Sequence, residues 1–224
     1  MADFADILKR LRECYGRPKP PRVTRPLEMI LFEMVAYLCD DAHRAATFAA
    51  LKKRIGTKPQ QLLSADEETL VEICRMGGIQ PEHRARRIRM VAELALCDFG
   101  GDLRSVLKKP LKEAKKDLMK FPSVGEPGAE KILLFNRCHP VLALDSNGLR
   151  VLQRLGFAPA LKNYSTAYRA AREALQDQLP KSCDKLIEAH QLLRQHGKEI
   201  CKTSRPLCDS CPFAPDCHYF QSNR

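Results

Sequence analysis

No apolar run in this chain is long enough to cross a membrane. The longest, residues 29–39, is interrupted by Glu33, whereas a helical span needs about 20 apolar residues. The N-terminus, MADFADILKRLRE, is amphipathic and lacks the charged-then-apolar layout of a signal peptide. Secretion and membrane residence are therefore not expected. A cytoplasmic or nucleoid location in a prokaryote is expected, or a nuclear one otherwise. Convincing period-two alternation is also missing, which argues against a sheet. No internal repeat is found. Acidic charge is in deficit: 38 Lys and Arg stand against 27 Asp and Glu, leaving a net charge of +11. An excess of that size points to a polyanionic partner, nucleic acid first.

What is present is helical. Residues 3–14 set Phe4, Ile7, Leu8 and Leu11 on one face. Residues 27–39 are apolar nearly all round and predict a buried helix. Further amphipathic segments cover 44–54, 67–75, 82–97, 111–121, 127–136, 146–155, 164–176 and 184–196. Gly77-Gly78 breaks the pattern before a basic helix carrying Arg84, Arg86, Arg87 and Arg89. The stretch GRPKPPRVTRP, residues 16–26, reads as an extended linker. The fold class is all-α, and 224 residues are enough for one large domain or two small ones.

Six of the ten cysteines (Cys14, Cys39, Cys74, Cys97, Cys138 and Cys183) are scattered and read as free thiols in a reducing compartment. The other four, Cys201, Cys208, Cys211 and Cys217, fall in a C-x6-C-x2-C-x5-C pattern. One compact loop can wrap four thiolates around a single inorganic centre. Structural zinc usually takes two separated Cys-x-x-Cys knuckles, and only Cys208–Cys211 has that form here. A [4Fe–4S] cluster takes four Cys thiolates and suits the loop better, with zinc as the alternative.

Two of the predicted helices are joined by FPSVG, Phe121 to Gly125. A helix N-terminus offers orphan N–H groups and positive dipole, so Ser123, Val124 and Gly125 are candidate phosphate contacts. After the second helix come an apolar run, Val141 to Leu144, then Asp145, then the helix SNGLRVLQRLG. An Asp just before a helix is a favoured N-cap.

In this order, LMKFPSVG (118–125), LDSNGLRV (144–151) and LLRQHGKEICKTSRPLCDSCPFAPDC (192–217) resemble the helix-hairpin-helix base-excision DNA glycosylases, in the endonuclease III branch with a C-terminal [4Fe–4S] loop. The resemblance runs from about Leu27 to the end. It implies a two-lobed fold: residues 27–136 as a six-helix domain with the hairpin, and 1–26 plus 137–224 as the second domain, ending in the cluster loop at 201–217. The implied partner is double-stranded DNA containing a damaged or mismatched base, bent and with one nucleotide flipped out, bound by a monomer. Asp145 matches the family's catalytic aspartate, and Glu33 matches the glutamate of adenine-specific members. As the one charge between Met29 and Cys39, Glu33 also reads as a carboxyl whose neutral form is favoured, suited to a general acid. Ile79 stands where the family carries a wedge. Lys202 and Arg205, inside the cysteine loop, are expected to meet the DNA backbone.

The sequence departs from the family at the hairpin. Pro127 occupies the place of the lysine that forms a Schiff base in bifunctional members, Ser123 replaces the first hairpin glycine, and Glu126 adds negative charge. Proline has no free amine, so the reading is a monofunctional DNA glycosylase that hydrolyses the N-glycosidic bond and leaves the strand intact. Uracil or thymine mismatches, adenine mismatches and alkylated purines are its candidate substrates. Two alternatives stand beside it: a non-catalytic iron–sulfur DNA-binding module, and a bifunctional glycosylase/lyase using another amine such as Lys131.

Overall fold

The computed structural model describes residues 3–19, 21–161 and 163–222. Among them are twelve α-helices and no strand. The first six are α1 (Phe4–Tyr15), α2 (Pro26–Met34), α3 (Asp41–Arg54), α4 (Pro59–Ser64), α5 (Glu67–Met76) and α6 (Pro81–Phe99). The rest are α7 (Leu111–Leu118), α8 (Glu126–Phe135), α9 (Ser146–Arg154), α10 (Tyr164–Leu175), α11 (Cys183–Glu199) and α12 (His218–Ser222). No described helix is long and apolar enough to cross a membrane.

The chain divides into two compact units, with boundaries after residue 20 and after Gly125. The sequence places these boundaries at 26/27 and 136/137, so α8 changes sides. Packing explains the difference. Ala129, Glu130, Ile132, Leu133, Leu134 and Phe135 of α8 are all buried, the helix packs on α11, and the Glu130 carboxylate accepts the Tyr168 hydroxyl from α10.

In the unit that carries the cysteine loop, α9 against α11 is the principal packing. It depends on glycine: a Cβ at Gly197 would stand 2.6 Å from the Asn147 carbonyl oxygen and 2.7 Å from its Cβ. The apolar run Val141–Leu144 is buried without being a strand. Side chains satisfy its carbonyls instead: Tyr168 donates to Leu142 O at 3.3 Å, His190 Nδ1 to Ala143 O at 2.7 Å and Tyr164 to Leu144 O at 3.1 Å. Burial is the main cause that pushes His190 down to about 4, so it is neutral at pH 7.

The other unit, Pro21–Gly125, holds α2 to α7. Its centre is α6, which packs on α2, α4 and α5. The helix predicted over 27–39 stops at Met34. Beyond it, Tyr37 donates its N–H to Gly77 O at 2.8 Å, and Leu38 takes a left-handed φ of 54°. Val35 and Ala36 stay buried while Tyr37 and Leu38 face solvent, so apolarity here comes from a loop tip as well as from a core helix.

Candidate functional site

Asp145 is the N-cap of α9. Its Oδ1 accepts the Gly148 N–H at 2.8 Å, and its Oδ2 accepts from Asn147 Nδ2 at 3.1 Å. Arg194 Nε of α11 stands 3.3 Å from Oδ2, and the carboxylate is 28% exposed. Capping and reactivity are compatible, because the cap fixes the side chain and leaves an edge open. Tyr164 and His190 hold the two carbonyls just before Asp145. Burial, assisted by the Asp145 charge, pushes the Tyr164 hydroxyl up to about 12, so it remains a donor. Asn147, Tyr164, His190 and Arg194 were not singled out from sequence. Asn147 and Arg194 had signals, lying two residues from Asp145 and inside the matched segment 192–217; the other two had none.

Lys131 lies on α8, its Nζ 5.8 Å from the centre of the Phe135 ring. The same ring packs edge-on against His190 at 5.2 Å between centroids. His190 in turn bonds Ala143 O, two residues before Asp145. Pro127 is the second residue of α8.

Glu33 belongs to the Pro21–Gly125 unit. Its carboxylate is half exposed and paired with Arg44. The apolar enclosure expected around it, on which the general-acid reading rested, is therefore absent. The cause is the early end of α2, which leaves Glu33 in the last turn beside α3 rather than inside a longer buried helix.

In the turn between α7 and α8, Ser123 adopts φ 64° and its hydroxyl accepts from Arg87 Nη1 at 2.5 Å. Ser123 thus sits in the left-handed region that glycine favours. Val124 N–H closes the turn on Phe121 O at 3.1 Å. Ser123 and Gly125 are exposed and Val124 is partly so. The concern that Glu126 would oppose a phosphate is met by Arg169, which donates to its carboxylate at 2.9 Å, with Arg172 3.7 Å away.

The basic helix is less free than its sequence suggests. Arg84 is 5% exposed and donates to backbone carbonyls. Arg89 donates to Leu63 O and Ala65 O, at 3.2 and 2.6 Å, where α4 ends. Both serve the fold, because orphan carbonyls outcompete solvent for a guanidinium that packing has drawn out of water. Arg86 is exposed and Ile79 is 49% exposed.

The four loop cysteines sense one another. Burial, with Cys201, Cys217 and Cys208 adding, pushes the Cys211 thiol up to about 11. Burial, then Cys217 and Cys201, raises Cys208. Arg154 Nη1 stands 3.3 Å from Cys201 Sγ, and His196 Nε2 stands 3.6 Å from Cys211 Sγ. The Tyr15 hydroxyl lies 2.9 Å from His196 Nδ1, and Arg10 stacks 4.8 Å from the Phe213 ring centre, so α1 supports the loop. Among the described residues, no three His, Cys, Asp or Glu side chains converge tightly enough for one metal ion. A cubane does not require that convergence, since each thiolate binds its own iron; four clustered thiols with donors aimed at two of them suit such a group. Lys202 and Arg205 are exposed on this loop, and Arg154 holds the carbonyls of Lys202 and Thr203 at 2.7 and 3.0 Å.

Residues 38–177 match the HhH-GPD superfamily of base excision DNA repair proteins, and the chain belongs to that family. It is a DNA glycosylase of the endonuclease III-like kind. The chain is 30% identical over 224 residues to the endonuclease III of Rickettsia prowazekii, covering 96% of each chain. It is 29% identical over 169 residues to the thymine-DNA glycosylase of Aeropyrum pernix, covering 74% of this chain and 70% of that one. Its fold is similar to that of an endonuclease III trapped as a covalent intermediate with DNA in an estranged-adenine complex, with TM-score 0.78, 21% identity and 99% of each chain covered.

Proposed function

We propose that this DNA glycosylase is monofunctional: it hydrolyses the N-glycosidic bond of a damaged or mismatched base and leaves the sugar–phosphate backbone intact. The observation that carries this reading is a pinned carboxylate, Asp145, in a chain whose α8 has Pro127 in place of an amine. Breaking the bond builds positive charge at C1′. The Asp145 carboxylate offsets that charge and takes the proton of the attacking water. The water oxygen bonds to C1′, and the bonding pair leaves with the base, which is protonated from solvent. Asn147, Gly148 and Arg194 hold the carboxylate in one orientation while this happens.

Glu33 is not given the acid's role, because its partner is Arg44 and its surroundings are half solvent. The exposed Ser123 and Gly125, with Val124 between them, are assigned to backbone phosphate, Ile79 to the gap left by the flipped base, and Lys202 and Arg205 to further phosphates. Cys201, Cys208, Cys211 and Cys217 would hold a [4Fe–4S] cluster, which supplies a rigid crosslink of the loop rather than a reacting group. All of these residues lie on one chain, and the enzyme is assigned as a monomer.

A panel of duplexes, each with a single lesion, tests the reading. Strand breaks that appear only after hot alkali are expected with at least one of uracil, thymine mismatch, adenine mismatch or alkylated purine. Breaks without alkali refute it. One observation favours a second reading: Lys131 reaches the Phe135 ring that packs on His190, which holds the carbonyl two residues before Asp145. Should Lys131 attack C1′, borohydride would trap protein on damaged DNA, and Lys131→Gln would abolish the adduct.

A further inference from the structure

The Pro21–Gly125 unit exposes large apolar side chains at two loop tips. Tyr37 and Leu38, on the loop after α2, are 53% and 74% exposed; Ile79, on the loop between α5 and α6, is 49% exposed. The loops touch through the Tyr37–Gly78 bridge. They approach so closely that a Cβ at Gly77 would stand 2.3 Å from Val35 O, and one at Gly78 would stand 2.3 Å from Tyr37 O. Leu38 and Gln80 both hold left-handed backbone, at φ 54° and 55°. Such conformations persist in non-glycine residues only where the surroundings over-determine them.

The over-determining group is Arg84. It projects from the first turn of α6 beneath both loops and donates to four carbonyls: Val35 O, Cys74 O at 2.6 Å, Gly78 O at 2.7 Å and Ile79 O at 2.8 Å. All four of these acceptors are neutral oxygens. Burying a cation on carbonyls is costly, and burial lowers its pKa. The planar guanidinium has donors enough to span several acceptors at once, whereas an ammonium is a point charge with three.

We propose that Arg84 is a positioning residue that locks loops 35–40 and 77–80 into one apolar tip, so that Leu38 and Ile79 enter a damaged duplex as a unit. The occupant is the base stack beside an extruded nucleotide, reached by a chain of charge +11 and apolar at the face it offers. This rests on the DNA-glycosylase reading for its partner, but not on Asp145 or on the identity of the lesion.

The test uses a duplex with a tetrahydrofuran abasic analogue opposite 2-aminopurine, whose fluorescence rises when it unstacks. Leu38→Ala, Ile79→Ala and the double variant are compared in the wild-type, Arg84→Lys and Arg84→Met backgrounds, with folding followed by circular dichroism. In the wild-type background either single substitution removes most of the rise and the double adds little. In the Arg84 variants the rise falls several-fold, and the two tip substitutions become independent. A merely structural arginine would not change that coupling. The proposal is overturned by a folded Arg84 variant with the full rise and unchanged coupling, or by tip substitutions that are already independent in the wild type. Should Arg84→Met fail to fold, Arg84→Lys and the wild-type cycle decide. A wild type that does not bind the duplex sinks this proposal together with the DNA reading; a wild type that excises a base yet shows independent tips sinks this proposal alone.

Discussion

Asp145→Asn separates two jobs that one side chain performs. Asparagine is as good an N-cap as aspartate, and its Oδ1 can keep the 2.8 Å bond to Gly148 N–H. The substitution removes the charge that faces Arg194 at 3.3 Å. Losing a partly exposed ion pair costs about 0 to 1 kcal/mol, and the new amide nitrogen cannot accept from Asn147 as Oδ2 does, which costs about 1 kcal/mol more, so the melting temperature should fall by no more than about 8 °C in a chain of this size. Catalysis loses the base for water and the counter-charge for the sugar, a loss of about 100- to 10,000-fold. That corresponds to about 3 to 5 kcal/mol of transition-state stabilisation. Asp145→Ala loses the cap as well, a further cost of about 1 kcal/mol in stability, with no further loss in rate. The assay is single-turnover excision, read as alkali-labile breaks, with DNA binding measured in parallel by anisotropy. A folded Asp145→Asn protein that binds DNA and keeps more than about a tenth of the wild-type rate refutes the assignment, because a mere cap predicts that outcome.

Other substitutions probe the scaffold and the remaining contacts. Gly197→Ala should destabilise the protein by about 1 to 3 kcal/mol, since its Cβ would stand 2.6 Å from a backbone oxygen on α9; an unchanged denaturant midpoint contradicts the packing. Lys202→Ala and Arg205→Ala should each weaken binding about equally on all sequences and reduce the salt slope by about one, as measured by titration at several ionic strengths. Purified protein should contain about four irons and four sulfides per chain and absorb in the visible; zinc in their place would overturn the cluster. His190, pushed down to about 4 from 6.5, binds its proton less readily in the fold than in the unfolded chain. Its contribution is therefore complete above pH 6.5 and is lost as pH falls toward 4, by at most about 1.4 kcal/mol per pH unit. His190→Gln should flatten that limb of the stability profile, and an unaltered limb would show that other groups cause it.

Several features were legible because they depend on neighbours in sequence. The helical period, the cap at Asp145, the glycine break at 77–78 and the cysteine spacing all express contacts within a few residues. Sequence also carried the family resemblance, which residues 38–177 sustain.

The rest depended on contacts between distant segments, which no local pattern encodes. Only the folded chain decided that α2 stops at Met34 and that Tyr37 N–H, just beyond it, pairs with a carbonyl some 40 residues away. Only the fold gave Glu33 an arginine from α3, turned Arg84 inward beneath two loops, and set His190, Tyr164 and Arg194 around Asp145. A charged side chain looks alike in sequence whether it meets water, a carboxylate or a buried carbonyl. Tertiary packing chooses among these by how much solvent it removes and which partner it brings within hydrogen-bond reach.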